Sequence, residues 1–467
     1  MSRTIDAVVS PTQTNTIPAD ISGQMLDLDE DDDLEVFSKD LTLADGNMFN
    51  ASMPTSPGSM VNQCKFEEDE ESDSKDIFIT VDNPESHVTA IETFITYRVL
   101  TKTTRSEFDN SEYEVRRRYQ DFLWLKGKLE DAHSTLIVHP LPEKFVVKGM
   151  VERFNGDFIE TRRKALHKFL NRVADHPILS CSEDFKVFLS AQAWELTTYK
   201  KQGPGFLSRM GETVRAVANS VRGVKNRPEE FTAIQEYVED FSNKIGSLDK
   251  VTQRIVKEQK EYLEELKEYG PTYTLWSGSE EELAEQLKGV AGCIERCCKE
   301  TEEQVGHLSD TLVPVLHEYV LCAETLKAVL RRRDNIQAEF EAKNEALATK
   351  KVDRDAESSD LGFVWGSLLG KNPEEARHQR QERLDGEIEE LKEEIDKLED
   401  RVEWANNALK GDWGRWQRSM RGDLKSAFLS TAEKNVDYYE KCLAVWETFL
   451  LSQRTEPSEE TDRDNTP

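Results

Sequence analysis

Long helical patterns fill the C-terminal half of this chain and restrict what it can fold into. From residue 228 to about residue 454, apolar residues recur at intervals of three and four, and strand signals are almost absent. One pattern, from Ser279 to about Lys351, corresponds to roughly 100 Å of helix at about 1.5 Å per residue. A compact domain does not require a helix of that length, so we expect an elongated, all-helical region.

Three helices are expected in this region. The first is predicted to break at Gly270-Pro271, because proline lacks the backbone N–H that a helix interior uses. The second contains Pro314, where we expect a kink rather than a stop. The third begins near Pro373 and carries apolar residues in near-heptad order. Since such helices cannot bury their apolar stripes alone, they should form an antiparallel coiled-coil bundle that dimerises to cover what remains.

A basic segment upstream of the helices suggests a ligand site. It reads Arg116-Arg117-Arg118-Tyr119-Gln120-Asp121-Phe122. Guanidinium groups present rigid forks of donors that match phosphate oxygens, and a neighbouring aromatic ring can pack on a sugar-like ring. A phosphorylated inositol headgroup needs both features together. The alternative is a solvated strand end before an ordinary helix.

This segment resembles the signature of the PX domain, which has a basic pair, an aromatic residue, a polar residue and then Asp-Phe. Two later segments resemble other elements of that family in the same order, namely residues 139–145 and residues 158–166. The resemblance implies a site for phosphatidylinositol 3-phosphate with one role per residue. Arg118 would bind the 3-phosphate, Tyr119 would pack on the inositol ring, Lys144 would meet the 1-phosphate, Arg162 would bind the 4- and 5-hydroxyls, and Gln120 would lie near the phosphate.

The surrounding sequence predicts a small α+β domain over residues 76–195. Residues 77–81, 88–100 and 113–118 are rich in Val, Ile, Thr, Phe and Tyr and read as a small antiparallel sheet. Helical spacing follows, in Phe158, Leu166, Phe169, Leu170 and Val173. Phe145, Val146 and Val147 belong either to the core or to a tip that enters lipid.

Residues 203–226 are predicted to form an amphipathic linker helix. An apolar stripe at steps of three and four is flanked by arginines and a lysine, which is typical of a helix that lies in a membrane interface. The alternative is a linker helix packed on its own protein. The residues predicted to enter the membrane are Phe206, Met210, Val214, Val217 and Val221.

The order of PX domain, amphipathic linker and long helical bundle resembles the sorting nexins of the PX-BAR class, with the BAR domain at residues 228–454. The resemblance implies binding to phosphatidylinositol 3-phosphate membranes of early endosomes, curvature sensing or induction, and roles in endosomal sorting, recycling and autophagy. It also implies a homodimer, or a heterodimer with another PX-BAR member such as sorting nexin-4. The alternative is a coiled-coil scaffold or tether without lipid specificity.

The net charge of −30 is unevenly distributed. Residues 1–75 carry 17 acidic and 4 basic residues, whereas residues 196–227 carry seven basic residues and one acidic residue. Since screening limits surface electrostatics to about 8–10 Å, the acidic segment does not oppose lipid binding elsewhere. The overall charge argues against nucleic acid as a partner. Residues 1–75 and 455–467 are predicted to be disordered tails.

No enzyme, metal site or cofactor is predicted. The eight histidines are scattered, and no catalytic grouping has supporting context. The chain has seven cysteines, an odd number without the spacing of a disulfide framework. Cys293, Cys297 and Cys298 could bind a metal, but without a matching His or Cys cluster structural cysteines are favoured. Since no apolar run reaches roughly 20 residues and no secretory signal is recognised, a cytoplasmic protein is expected.

Overall fold

The computed structural model describes residues 75–88, 93–143, 156–201, 223–358 and 373–454. A small antiparallel sheet with short helices precedes three long helices. The predicted combination of an α+β domain and an all-α three-helix region is therefore confirmed. Of the two predicted tails, residues 1–74 and 455–467 lie outside the described residues. Residues 202–222 also lie outside them, and they include every residue predicted to enter the membrane.

The sheet contains three strands in the order β1-β2-β3, β1 being Ile77–Val88, β2 Thr93–Thr103 and β3 Glu112–Arg118. Alternate residues are buried, as expected of strands with one face on a core. The pairing of β1 with β2 shifts register between Asp82 and Glu85, where Asn83 has a positive φ of 42°.

Short helices cover this sheet. They are α1 (Tyr119–Ala132), α2 (Gly156–Ala174), α3 (Glu183–Ser190) and α4 (Ala193–Lys201), with a 3₁₀ turn at Leu179–Cys181 before α3. The predicted helical stripe is confirmed in α2, where Leu166, Phe169, Leu170 and Val173 are buried. Side chains of α2 also satisfy the backbone of the outer strand β1: His167 accepts from the Val81 N–H over 3.2 Å, and Asn171 donates to the Ile79 carbonyl over 3.0 Å.

The three long helices are α5 (Glu229–Ser277), α6 (Ala284–Ser358) and α7 (Pro373–Arg454). Both α5 and α7 pack along α6. Helix α6 continues through Pro314, as predicted. No helix among the described residues is both long and apolar enough to cross a bilayer.

The predicted break at Gly270-Pro271 was wrong, because α5 continues through this pair to Ser277. An interior proline costs about 3 kcal/mol in a helix. Packing on both sides of the pair stabilises the helix, since Leu263 and Tyr273 belong to one apolar cluster with Ile294 of α6. Full burial of a side chain such as Leu263 contributes about 1.5–3 kcal/mol, and partly buried Tyr273 adds to it, so their packing offsets a cost of this size.

The predicted C-terminal end of the amphipathic linker helix, at residue 226, is also corrected. Residues 223–226 are described and are not helical, and Gly223 has a positive φ of 66°. The Lys225 backbone N–H donates to Glu341 of α6 over 2.9 Å, and its ammonium group contacts Glu345. These acidic partners on α6 hold the segment against the protein.

The small domain packs on the long helices. Ile137, which follows α1, belongs to the same buried cluster as Phe231, Leu316 and Trp416 of the three long helices. Polar groups cross the boundary beside it, and Asp412 of α7 accepts from the Ile137 N–H over 2.7 Å. The two domains therefore share a core at this boundary.

Candidate headgroup-binding site

The strand pleat separates the three consecutive arginines of β3. Successive side chains of a strand point to opposite faces, so Arg117 lies on the core face and Arg116 and Arg118 lie on the other. Arg117 is fully buried and donates to the backbone carbonyls of Phe188, over 2.9 and 2.6 Å, and of Ala191. Burial lowers the pKa of Arg117 to about 10. This arginine is structural and inaccessible to a ligand.

Arg116 serves the sheet on the opposite face. Its Nη1 lies 3.1 Å from a Glu85 carboxylate oxygen, and its Nη2 donates to the Asn83 carbonyl over 2.7 Å. Its Nε donates to the Thr96 hydroxyl over 2.9 Å. These contacts use Arg116 to stabilise the irregular part of β1. Since Arg117 is buried, Arg118 is the candidate ligand-binding residue among the three arginines.

Arg118 ends β3 and leads directly into α1. Its backbone N–H donates to the Asp121 carboxylate over 2.7 Å, which fixes the peptide at the start of the helix. Asp121 also binds the ammonium group of Lys200 in α4. The guanidinium carbon of Arg118 lies 3.3 Å from the centre of the Phe94 ring, and Gln120 is exposed on the first turn of α1.

A second guanidinium lies between two aromatic rings. The guanidinium carbon of Arg162, in α2, is 4.3 Å from the centre of the Tyr119 ring and 4.4 Å from that of Phe158. Burial raises the pKa of Tyr119, although the nearby Arg162 opposes this shift. The phenol therefore stays neutral at ordinary pH, which suits a ring that packs against a sugar.

The chain just before residue 144 completes the described part of the site. The Tyr119 hydroxyl donates to the Pro142 carbonyl, and Arg162 Nη2 donates to the Glu143 carbonyl over 3.1 Å. Arg118, Tyr119 and Gln120 are adjacent in sequence, and Tyr119 and Arg162 are in contact. Lys144, the remaining predicted residue, lies outside the described residues, as do Phe145, Val146 and Val147.

Two aromatic residues of the site were not predicted as such. Phe158 was assigned to a helical stripe, and its spacing of four residues from Arg162 already indicated that the two side chains are neighbours on α2. To predict that Phe94 lies near Arg118, one must know the pairing of β2 with β3, in which Thr96 lies opposite Arg118. That register cannot be read from the composition of the strands.

The site adjoins the long helices. The carboxylate of Glu143 lies 3.9 Å from Nε2 of His317 in α6, and Nδ1 of the same histidine lies 3.4 Å from Asp249 in α5. Asp249 is buried. The residue whose carbonyl binds Arg162 therefore also lies beside α6, and His317 links it to Asp249 of α5.

A metal centre does not fit the residues that come closest to forming one. In the described ranges, the only three metal-ligating side chains whose ligand atoms all lie within 4.8 Å of one another are those of His139, Glu318 and Cys322. Arg172 already lies 2.8 Å from His139 Nδ1 and 2.9 Å from Glu318. This guanidinium takes the position of a cation, and it lowers the pKa of His139 together with burial, the larger cause. Cys293, Cys297 and Cys298 do not meet the same criterion.

Comparison with known proteins supports both domains. A family model described as PX domain matches residues 105–192, and one described as Vps5 C terminal like matches residues 207–452. Sorting nexin-7 of Mus musculus is 62% identical over 416 residues, covering 89% of this chain and 98% of that protein. Sorting nexin-30 of Xenopus tropicalis is 45% identical over 433 residues, covering 92% of this chain and 89% of that protein.

A solved structure has the same fold. The cryo-EM structure of the SNX-BAR Mvp1 tetramer matches with a TM-score of 0.57, covering 80% of this chain and 99% of that chain at 17% identity. At that identity the likeness is one of fold. The acidic N-terminus and residues 360–365 also resemble sorting nexin-30 and sorting nexin-7, in agreement with the sequence identities.

Proposed function

The chain belongs to the sorting nexins that join a PX domain to a BAR-like domain, and on this premise we propose that it binds phosphatidylinositol 3-phosphate on early endosomes. The family is non-enzymatic and membrane-associated. The observation that supports this ligand is the contact of Arg162 with the Tyr119 ring, directly beside Arg118. The Arg162 guanidinium of α2 and the neutral Tyr119 ring of α1 are in contact, and Arg118 of β3 directly precedes Tyr119 in the chain.

Each residue of the site has a chemical role in this proposal. Arg118 forms a bidentate, charge-assisted contact with the 3-phosphate, and Gln120 lies beside it. Tyr119 packs on the inositol ring. Arg162 turns from the Glu143 carbonyl to the 4- and 5-hydroxyls, and Lys144 meets the 1-phosphate as a point charge. A headgroup without the 3-phosphate loses the strongest of these contacts.

Vesicle sedimentation tests the proposal directly. We expect the full chain to sediment with vesicles that contain phosphatidylinositol 3-phosphate and not with vesicles that contain unphosphorylated phosphatidylinositol. Hydrogen bonds to charged groups contribute about 1.5–3 kcal/mol, so Arg118→Ala should weaken binding by at least about tenfold. Lys102→Ala is the matched control, since it removes one positive charge from an exposed position at the other end of the same sheet.

Equal binding by the parent and Arg118→Ala would refute the headgroup site. The chain would then act as a coiled-coil scaffold or tether without lipid specificity.

We also propose that residues 206–221 enter the outer leaflet and help the protein to sense or induce curvature. In the same assay, Val217→Glu should lower binding to small vesicles more than to large ones, and an equal loss relative to the parent at both sizes would argue against insertion.

Two exposed apolar rows on the long helices support a dimer. One row runs along α5 and one along α7, each with a step of seven residues, and the side chains are between 40% and 59% exposed. A seven-residue step keeps one face toward a partner helix, as in coiled coils. The α5 row consists of Leu248, Ile255, Tyr262, Tyr269 and Trp276, and the α7 row of Leu429, Val436, Leu443 and Leu450.

A dimer strengthens the lipid contact. Two headgroup sites on one dimer make the second binding event intramolecular, which raises the avidity by about 10²–10⁴-fold over a single site. The second subunit is either another copy of this chain or another PX-BAR sorting nexin, such as sorting nexin-4. We propose that this dimer works in endosomal sorting and recycling, and also in autophagy.

A further inference from the structure

We infer that Phe94 is a positioning residue of the headgroup site, and that its ring holds the guanidinium of Arg118 ready for a phosphate. This inference rests on the proposed function and names a residue on which that function depends. Phe94 lies at the start of β2, and its ring centre is 3.3 Å from the guanidinium carbon of Arg118. At this distance the guanidinium lies directly over the face of the ring.

The mode of contact suits a residue that must also bind a ligand. The five N–H donors of a guanidinium lie in its plane, whereas a ring below contacts its face. Stacking on Phe94 therefore restrains the arginine without using a hydrogen-bond donor.

The strand register produces this contact. Thr96 lies opposite Arg118 in the pairing of β2 with β3, and Phe94 is two residues before Thr96 on the same face. Phe94 is thus the diagonal neighbour of Arg118. Diagonal positions are about 7–8 Å apart at the backbone, which an aromatic ring and a long side chain can bridge.

Phe94 is itself held in place by its neighbours. His87 lies opposite Phe94 in the pairing of β1 with β2, and the two rings stack with centres 5.2 Å apart and planes at 21°. His87 Nε2 is 2.8 Å from the Thr96 hydroxyl, which also accepts from Arg116 Nε. The ring below Arg118 is therefore part of a fixed row of side chains.

Fixing Arg118 before the lipid arrives should improve affinity. A free arginine loses rotamer freedom when it grips a phosphate, and prior ordering removes part of that loss. Cation–π contacts that are partly desolvated contribute enough to change an equilibrium by roughly five- to tenfold. We expect a loss of that size when the ring is removed.

A bilayer contact by Phe94 is the competing explanation, and the test separates the two. Calorimetry measures how the full-length protein binds soluble dibutanoyl phosphatidylinositol 3-phosphate, which forms no bilayer. Phe94→Leu should weaken this binding by about five- to tenfold, and Phe94→Tyr, which keeps the ring, should stay within about twofold of the parent. The control is Phe78→Leu, because Phe78 pairs with Lys102, about 26 Å along β2 from Phe94.

A double-mutant cycle tests whether the effect passes through Arg118. If Phe94 acts by holding Arg118, then Phe94→Leu should cause no further loss in an Arg118→Ala background. Normal binding of the soluble lipid by Phe94→Leu, with weaker binding to vesicles alone, would overturn the inference in favour of a bilayer contact. An additive loss in the cycle would overturn it in favour of a general effect on the fold.

The two proposals fail in different ways. If Arg118→Ala abolishes binding and Phe94→Leu leaves it unchanged, only the role of Phe94 is refuted. If Arg118→Ala binds the soluble lipid as the parent does, the headgroup site itself is refuted, and the role of Phe94 with it.

Discussion

At the scale of single residues, burial decides the chemistry of similar side chains. Arg117 and Arg118 are neighbours in sequence, yet Arg117 binds the carbonyls at the end of α3 from inside the core, whereas Arg118 lies on an aromatic ring at the start of the central strand. The period of two in a strand produces this division. A run of three arginines on a strand therefore cannot supply three ligand-binding cations on one face.

Burial also predicts how stability depends on pH through His139. Burial and the cations of Arg172 and Lys168 hold the pKa of His139 well below its usual value of 6.5. Between the lowered pKa and about 6.5, the unfolded chain binds a proton that the folded chain does not, so stability falls as the pH falls. The slope contributed by this residue approaches about 1.4 kcal/mol per pH unit.

Thermal unfolding at several pH values tests this dependence. We expect the melting temperature of the parent to fall between pH 7 and 5.5 more than that of His139→Asn, which keeps an acceptor for Arg172 but does not titrate in this range. The side chain of His139 faces Arg172, Lys168, Glu318 and Cys322, and the variant keeps all four of these neighbours. Parallel curves for the parent and the variant would contradict the prediction.

At the scale of helices and strands, the periodicity of apolar residues predicted the elements correctly except where packing between helices outweighed local propensity. The strands and the α2 stripe followed from period and residue type. Pro271 was read as a break because local propensity disfavours it, but contacts between α5 and α6 outweigh that cost. The motif predicts Arg118, Tyr119 and Arg162 as site residues, and the structure brings Tyr119 and Arg162 into contact. It could not supply Phe94, because strand register depends on long-range pairing.

The seven-residue rows on α5 and α7 lead to a prediction at this scale. Tyr262→Lys and Leu443→Lys each introduce a charge into a row that should be buried between subunits, and the desolvation of that charge should disfavour association. Val352→Lys is the control, because Val352 is 67% exposed on α6 and belongs to neither row. Sedimentation velocity should show a shift toward monomer for the two row variants alone. If all three variants sediment like the parent, the rows do not form the dimer interface.

At the scale of the whole molecule, the domain that carries the candidate headgroup site is joined to the long helices by a polar contact inside the core. Asp412 of α7 is 2% exposed and accepts from the Ile137 N–H over 2.7 Å and from His176 Nε2 over 2.9 Å. His176 Nδ1 accepts from the backbone N–H groups of Ile178 and Leu179 over 3.1 and 3.0 Å. Nδ1 of His176 is therefore an acceptor, and Nε2 carries the ring hydrogen that Asp412 binds.

Replacement of Asp412 should loosen the two domains from each other while leaving the headgroup site intact. Asp412→Leu leaves two buried donors, the Ile137 N–H and the His176 Nε2–H, without an acceptor, at a cost of about 1–3 kcal/mol each. We expect hydrogen exchange to accelerate around residues 136–139 and 176–179, and affinity for the soluble lipid to remain within about twofold of the parent. Binding to vesicles should fall by about tenfold or more. The two sites of a dimer gain avidity only if their geometry allows both sites to bind the same membrane at once. Asp400→Leu, at an exposed position on the same helix, is the control. Unchanged vesicle binding by Asp412→Leu, despite faster exchange at the boundary, would mean that the headgroup sites need no fixed orientation on the bundle.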